Sequence, residues 1–133
     1  MTNLLDFIAR KRLAQKNLKV LFVASEAAPF AKVGGLGEVM FALPRALRKL
    51  GHDARVMTPR YASVDRERYG LKVVREGLAV PTSGEPASLI CNVLYYEGDE
   101  AAPTYFLENE EYYEKRANVY VYADDPVRWM LLS

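Results

Sequence analysis

Lys32, Gly34, Gly35 and Glu38 stand close together in the stretch Lys32-Val33-Gly34-Gly35-Leu36-Gly37-Glu38-Val39. Adjacent glycines let the main chain take positive φ and approach a ligand with no Cβ in the way. Amides at the start of a following helix would point at a bound anion, and Lys32 adds a full positive charge beside them. Such a group suits a phosphate, a diphosphate leaving group or the polar face of a sugar. The spacing is neither G-x-G-x-x-G nor a loop ending in Gly-Lys-Ser/Thr, so the residues do not fit nicotinamide binding or nucleoside triphosphate hydrolysis. A tight turn carrying a solvated lysine is the alternative reading of the same residues. Glu26 and Glu38 are candidates for hydrogen bonds to sugar hydroxyls, although a carboxylate in a first helical turn, as at Glu38, also simply favours the helix N-terminus.

The elements that must position this loop are visible on both sides of it. Leu18 to Ala24 is apolar apart from Lys19, the pattern of a strand buried on both faces of a parallel sheet. Leu36, Val39, Met40, Leu43, Leu47 and Leu50 recur at helical spacing, and Gly51 stands where a C-terminal cap belongs. Strand, glycine loop and helix in that order form the arrangement in which open α/β sheets bind ligands at the carboxyl ends of their strands. Gly51-His52-Asp53 makes a turn, and Ala54 to Thr58, closed by Pro59, completes a βαβ unit. Its right-handed crossover would bring Pro59, Arg60 and Tyr61 beside the glycine loop. His52, the single histidine, falls at the opposite edge of the sheet, where it should stabilise the helix end or face solvent.

Beyond an irregular stretch from Tyr61 to Gly70, strands are expected over 71–74, 78–80, 89–96 and 104–107, followed by a short helix over 110–115. A last helix opens at Asp125-Pro126, with Asp125 as its capping carboxylate, and with only Val127 to Ser133 left to it reads as cut rather than finished. Residues 1–17 are expected as a helical lead-in, with Leu4, Leu5 and Ile8 packed on the domain; the alternative is that these, followed by Arg10, Lys11, Arg12 and Lys16, form a short amphipathic basic helix that touches a membrane surface or a partner. The fold class is α/β, a parallel sheet with mixed edges.

Composition narrows the function. A chain of 133 residues, 50% hydrophobic and 26% charged, holds one domain with a real core. Eighteen basic residues against 17 acidic give a net charge of +1, with no basis for general nucleic-acid or membrane binding, so any anion site must be local. Cys91 has no cysteine to pair with and no companions for a metal site, and is expected as a buried packing residue. No secretory signal or membrane-spanning run is present, which points to the cytoplasm. Nine tyrosines and Trp129 are enough to include a sugar-stacking surface, though most should serve packing.

The run from Lys19 to Val39, with Ser25-Glu26-Ala27-Ala28-Pro29-Phe30 and Lys32-Val33-Gly34-Gly35-Leu36, resembles the amino-terminal start of bacterial glycogen synthases and plant starch synthases. The likeness continues through Ala42-Leu43-Pro44 and Gly51-His52-Asp53, and resumes at Val119-Tyr120 and Tyr122-Ala123-Asp124-Asp125. It implies the amino-terminal half, incomplete, of a two-domain GT-B fold with a Rossmann-like sheet: residues 18–133 would be a partial catalytic domain, the second domain lying outside the chain. It also implies a retaining glucosyltransferase that moves glucose from ADP-glucose to the non-reducing end of an α-1,4-glucan, without metal or other cofactor. Positions matching Lys32, Gly34 and Gly35 would lie at the donor's diphosphate and glucose, and Glu26, Glu38 and Tyr120 are the candidates for sugar or glucan contacts.

Two departures stand out. Val121 occupies a place where such proteins commonly carry glycine, and Glu38 one where many carry aspartate. The family's His-Asp-Trp-His-type segment has no counterpart, because His52 is the single histidine, so no catalytic residue is assigned. Two other readings stay open: a non-catalytic module that binds glucan or a partner, and a transferase of the same architecture using another donor such as UDP-glucose. The residues set no oligomeric state. The pure 133-residue chain is expected to show little or no ADP-glucose-dependent glucan elongation, and elongation detected with that chain alone would overturn the reading.

Overall fold

In the computed structural model, which describes residues 3–6, 16–116 and 118–133, one five-stranded sheet organises the chain. Its strands are β1 (Lys19–Val23), β2 (Asp53–Pro59), β3 (Lys72–Pro81), β4 (Ser88–Tyr96) and β5 (Thr104–Glu108), in the spatial order β1-β2-β5-β4-β3. β1 pairs with β2 and β2 with β5 in parallel, while β5 with β4 and β4 with β3 are antiparallel. Helix α1 (Gly35–Lys49) connects β1 to β2, as the βαβ reading requires, and helix α2 (Asp125–Leu132) closes the described chain.

The strand expected to be buried on both faces is instead an edge. Pairing of β1 is with β2 alone, and Leu21 and Val23 are 52% and 48% exposed. An apolar run reads the same whether or not a neighbour covers it, so composition could not locate the edge. The helical stripe behaves likewise. Of its residues Met40 is buried, with Gly37 and Pro44, whereas Leu36, Val39, Leu43 and Leu50 are exposed. Met40 packs against Ala24, Ala27 and Val56, which fixes α1 over the carboxyl ends of β1 and β2.

Two expected strands merge. The segments 71–74 and 78–80 are parts of the single strand β3, whose register against β4 shifts between Val73 and Arg75 and again before Leu78. Gly77, at φ 63°, carries the chain through the second irregularity, its amide held by Asn92 Oδ1 at 3.1 Å. The helix expected at 110–115 is one π-type turn, Glu110–Glu114, capped by Asn109, which accepts from the Tyr112 amide. In the lead-in, Ile8, Arg10, Lys11 and Arg12 lie outside the described residues. Leu4 and Leu5 are described, and they are exposed rather than packed on the domain.

A larger core joins the loops to the sheet. Phe30 meets Tyr69, Tyr96 and Phe106 edge-to-face, with centroids 4.8, 4.9 and 5.0 Å away, so the segment before Lys32 is pinned to β4 and β5. Cys91 is buried there, as expected.

Behind the last strand, Arg128 of α2 is fully buried. Its guanidinium donates to the carbonyls of Tyr112 (2.8 Å), Val119 (3.0 Å) and Asn118 (3.4 Å) and to Asp125 Oδ1 (2.7 Å), and lies about 5 Å from the rings of Tyr122 and Trp129. Asp125 does not cap α2. Its other oxygen accepts from the amides of Val121 and Tyr122, so the expected capping carboxylate ties down the preceding turn instead. Replacing Arg128 by methionine leaves these acceptors buried and unpaired. Urea unfolding of that variant should show a loss of about 3–5 kcal/mol, the scale for breaking a buried ion pair from one side. A loss within the roughly 0.5 kcal/mol of an ordinary surface change would refute this role.

Candidate functional site

Glu26 follows the end of β1 and is 3% exposed. Its Oε2 accepts from the amides of Val33 (2.7 Å) and Gly34 (2.9 Å), and its Oε1 from the Tyr120 hydroxyl (2.9 Å). Because the single Tyr120 proton goes to Glu26, the Ser25 hydroxyl, 2.7 Å away, donates to the Tyr120 oxygen. Tyr61 completes the arrangement from beneath, its hydroxyl donating to the Ser25 carbonyl at 2.5 Å. One buried carboxylate thus joins the end of β1, the glycine loop and the segment before α2.

Burial pushes the Glu26 carboxyl up. The amides of Gly34 and Val33, the Tyr120 hydroxyl and the Gly37 amide outweigh it and hold the group below its ordinary 4.5. The sequence reading offered the amides at the start of the following helix to a bound anion. The amides of Val33 and Gly34, just before that helix, are occupied by Glu26. The positive φ expected of the adjacent glycines is not found: Gly34 is extended, at φ −143°, and Gly35 opens the helix. Helix α1 has no side-chain cap at Gly34, and in its first turn the Gly37 amide also faces Glu26.

Gly37, in the first turn of α1, is the glycine that close packing requires. A Cβ there would stand 3.0 Å from Lys32 Cγ and 3.2 Å from Glu26 Oε2, so a larger residue would push both aside. Close packing here sets the exit of the Lys32 side chain. Its ammonium pairs with the Glu38 carboxylate, and both side chains are about half exposed. Lys32, Gly34, Gly35 and Glu38 are exposed near one another, while Glu26 lies buried behind them.

That surface borders a groove of about 660 Å³, within the roughly 300–1,000 Å³ of ordinary ligand pockets. One wall is Phe30, Ala31, Lys32 and Val33, and another is Asn118, Val119, Tyr120 and Val121, with Ser63 also lining it. The resemblance marked Val119, Tyr120 and Val121, but nothing local in sequence says that Tyr120, 94 positions away, closes on Glu26. Of the expected neighbours Pro59, Arg60 and Tyr61, Tyr61 supports the site. Arg60 is engaged elsewhere, by Glu108 (2.7 Å) and Glu114. His52 accepts from the Leu18 amide at 3.3 Å, at the far end of β1. Among the described residues no cluster of three or more His, Cys, Asp or Glu could hold a metal ion, and no helix is long and apolar enough to cross a membrane.

The fold and candidate site define an open α/β domain whose glycine loop follows the carboxyl end of a parallel strand, where such sheets bind ligands. The sequence model of one family, described as the starch synthase catalytic domain, matches residues 19–133, and the chain belongs to that family. Its relatives include glycogen synthase 1 of Geobacter metallireducens, 45% identical over 89% of this chain and 24% of that protein. The glycogen synthase of Clostridium acetobutylicum is 43% identical over 87% of this chain and 24% of its own length. The solved catalytic domain of starch synthase IV from Arabidopsis thaliana, bound to ADP and acarbose, superposes with a TM-score of 0.75 at 26% identity, covering 88% of this chain and 24% of that one. The sheet described above is thus part of a GT-B catalytic domain, and the chain spans about a quarter of the length of the relatives it matches.

The lowered Glu26 carboxyl has a measurable consequence. A group depressed on folding stabilises the native state above its unfolded value and ceases to as pH falls through its folded value. Wild-type chain should therefore exceed Glu26→Gln in thermal midpoint at pH 7, and the gap should narrow as pH is lowered below about 4.5. A gap constant from pH 7 to pH 3 would show that the charge on Glu26 does not hold the loop.

Proposed function

We propose that this chain supplies the donor-side loop and one wall of the acceptor groove of a retaining glucosyltransferase, transferring glucose from ADP-glucose to the non-reducing end of an α-1,4-glucan. The observation that carries the proposal is the clamped loop: Glu26 fixes Val33 and Gly34 so that Lys32 stands at a groove whose other wall is Tyr120. In the reaction the bond from glucose C1 to the diphosphate oxygen breaks and a bond from the glucan's terminal 4-oxygen to C1 forms. The proton of that hydroxyl leaves with the departing diphosphate. Charge grows on the leaving oxygens, and an ammonium at Lys32 stabilises it where it develops.

Within this scheme Gly34 and Gly35 let the donor approach the main chain, and Tyr120 presents its ring to the sugar. Glu26 is a positioning residue, its oxygens already engaged by the protein. Glu38 holds the Lys32 ammonium before the donor arrives. The neighbour's bound ADP and acarbose are consistent with a nucleotide and a sugar chain meeting in such a cleft. A cytoplasmic enzyme of glycogen or starch synthesis fits this chemistry.

The test is Lys32→Ala in the full-length gene product, assayed for glucose transfer from ADP-glucose to glycogen. Activity should fall about 10²-fold or more, the scale for removing one donor to a developing anion. Stability should change by no more than about 0.5 kcal/mol, because the side chain is half exposed. Equal turnover by variant and wild type would sink the assignment.

A further inference from the structure

Among the described residues, Val121 is the one non-glycine position with positive φ, at 80°. Left-handed backbone is strained for a β-branched side chain, and such strain persists where the surroundings over-determine the chain. Here they do so from both sides. Upstream, Arg128 holds the carbonyls of Asn118 and Val119, and Tyr120 is tied to Ser25 and Glu26. Downstream, Asp125 Oδ2 accepts from the amides of Val121 (2.9 Å) and Tyr122 (3.2 Å).

The strain is not offset by packing, because Val121 is 92% exposed. Its isopropyl group is fixed at the rim of the groove that Lys32 also lines. The lining is mixed, with Phe30, Ala31, Val33 and Val119 apolar and Ser63, Asn118 and Tyr120 offering polar groups, so C–H faces and hydroxyls both find partners. A wall of that kind fits the C–H face of a neutral pyranose better than a phosphate, which calls for donors and positive charge. We propose that Val121 is a specificity-determining contact for the neutral sugar chain, the acceptor glucan, a role that rests on the transferase reading above. Glycine at this position would relax the backbone and delete the contact.

Two substitutions separate the terms. Val121→Ala shortens the side chain and keeps a Cβ, whereas Val121→Gly removes both side chain and strain. In the full-length gene product, both should raise the apparent KM for maltoheptaose about fivefold or more while leaving that for ADP-glucose within about twofold. The glycine variant should also unfold at a higher temperature than wild type. An unchanged maltoheptaose KM in both variants, or an ADP-glucose KM that rises in parallel, overturns the proposal. Should wild type transfer no glucose, the transferase reading fails separately, and titration calorimetry with maltoheptaose decides this one. Binding that weakens in both variants supports the contact, and absent or unaltered binding overturns it.

Discussion

The site depends on one buried carboxylate. Glu26 collects two adjacent loop amides and a distant tyrosine hydroxyl on its two oxygens, and so joins three separate stretches of chain, its own included. An ionised group left unpaired in so enclosed a position would be costly, and three directed hydrogen bonds are what make it tolerable. The same bonds remove the loop's freedom. Two glycines in succession would otherwise allow many conformations, and the entropy of ordering them must be opposed by something local. Neutral side chains would hold the loop less firmly, because hydrogen bonds to a charge are roughly twice as strong.

Arg128 does for the far wall what Glu26 does for the loop, with the opposite charge. The 118–122 segment has no regular hydrogen-bond ladder, so its carbonyls need partners, and a guanidinium with five donors supplies several at once. Surrounding tyrosine and tryptophan faces make burial of that cation less unfavourable. The two charges are linked through Tyr120 on one side and through Tyr61 on the other, the latter bonded to Ser25 and lying under the guanidinium. Glu26 thus ties down one wall of the groove through Val33, and Arg128 the other through Asn118 and Val119.

Much of this was legible in the sequence, and the reasons differ by element. The β1, loop, α1 and β2 succession is local, and its apolar periodicities and glycine punctuation are strong signals. The sheet order and the exposure of β1 are not local. Leu21, Val23, Leu36 and Val39 read as core because their spacing is that of core, yet nothing among the described residues covers them. Such surface is what a parallel sheet and its helices normally bury, and the chain spans about a quarter of its relatives' length. Glu26 was legible as a carboxylate near the loop but not as its clamp, since that role exists only once Tyr120 and the loop amides arrive. Arg128 gave no signal at all, one arginine in a short helix being ordinarily a solvated one.

Charge at the loop constrains how it can act on a diphosphate. Lys32 brings one positive charge, and Glu26 and Glu38 one negative each, so the three together are net negative. The loop is thus no general anion trap, in keeping with the near-neutral chain as a whole. What it offers is one ammonium that can change partners. An exposed pair such as Lys32 with Glu38 is held by only about 0.2–1 kcal/mol. Stabilising charge that develops on a leaving group is worth about 3–4 kcal/mol per donor. Under the proposed transfer, exchange of Glu38 for the donor would be nearly neutral in the ground state and favourable as the bond breaks, which is the condition for binding energy to raise the rate rather than merely the affinity.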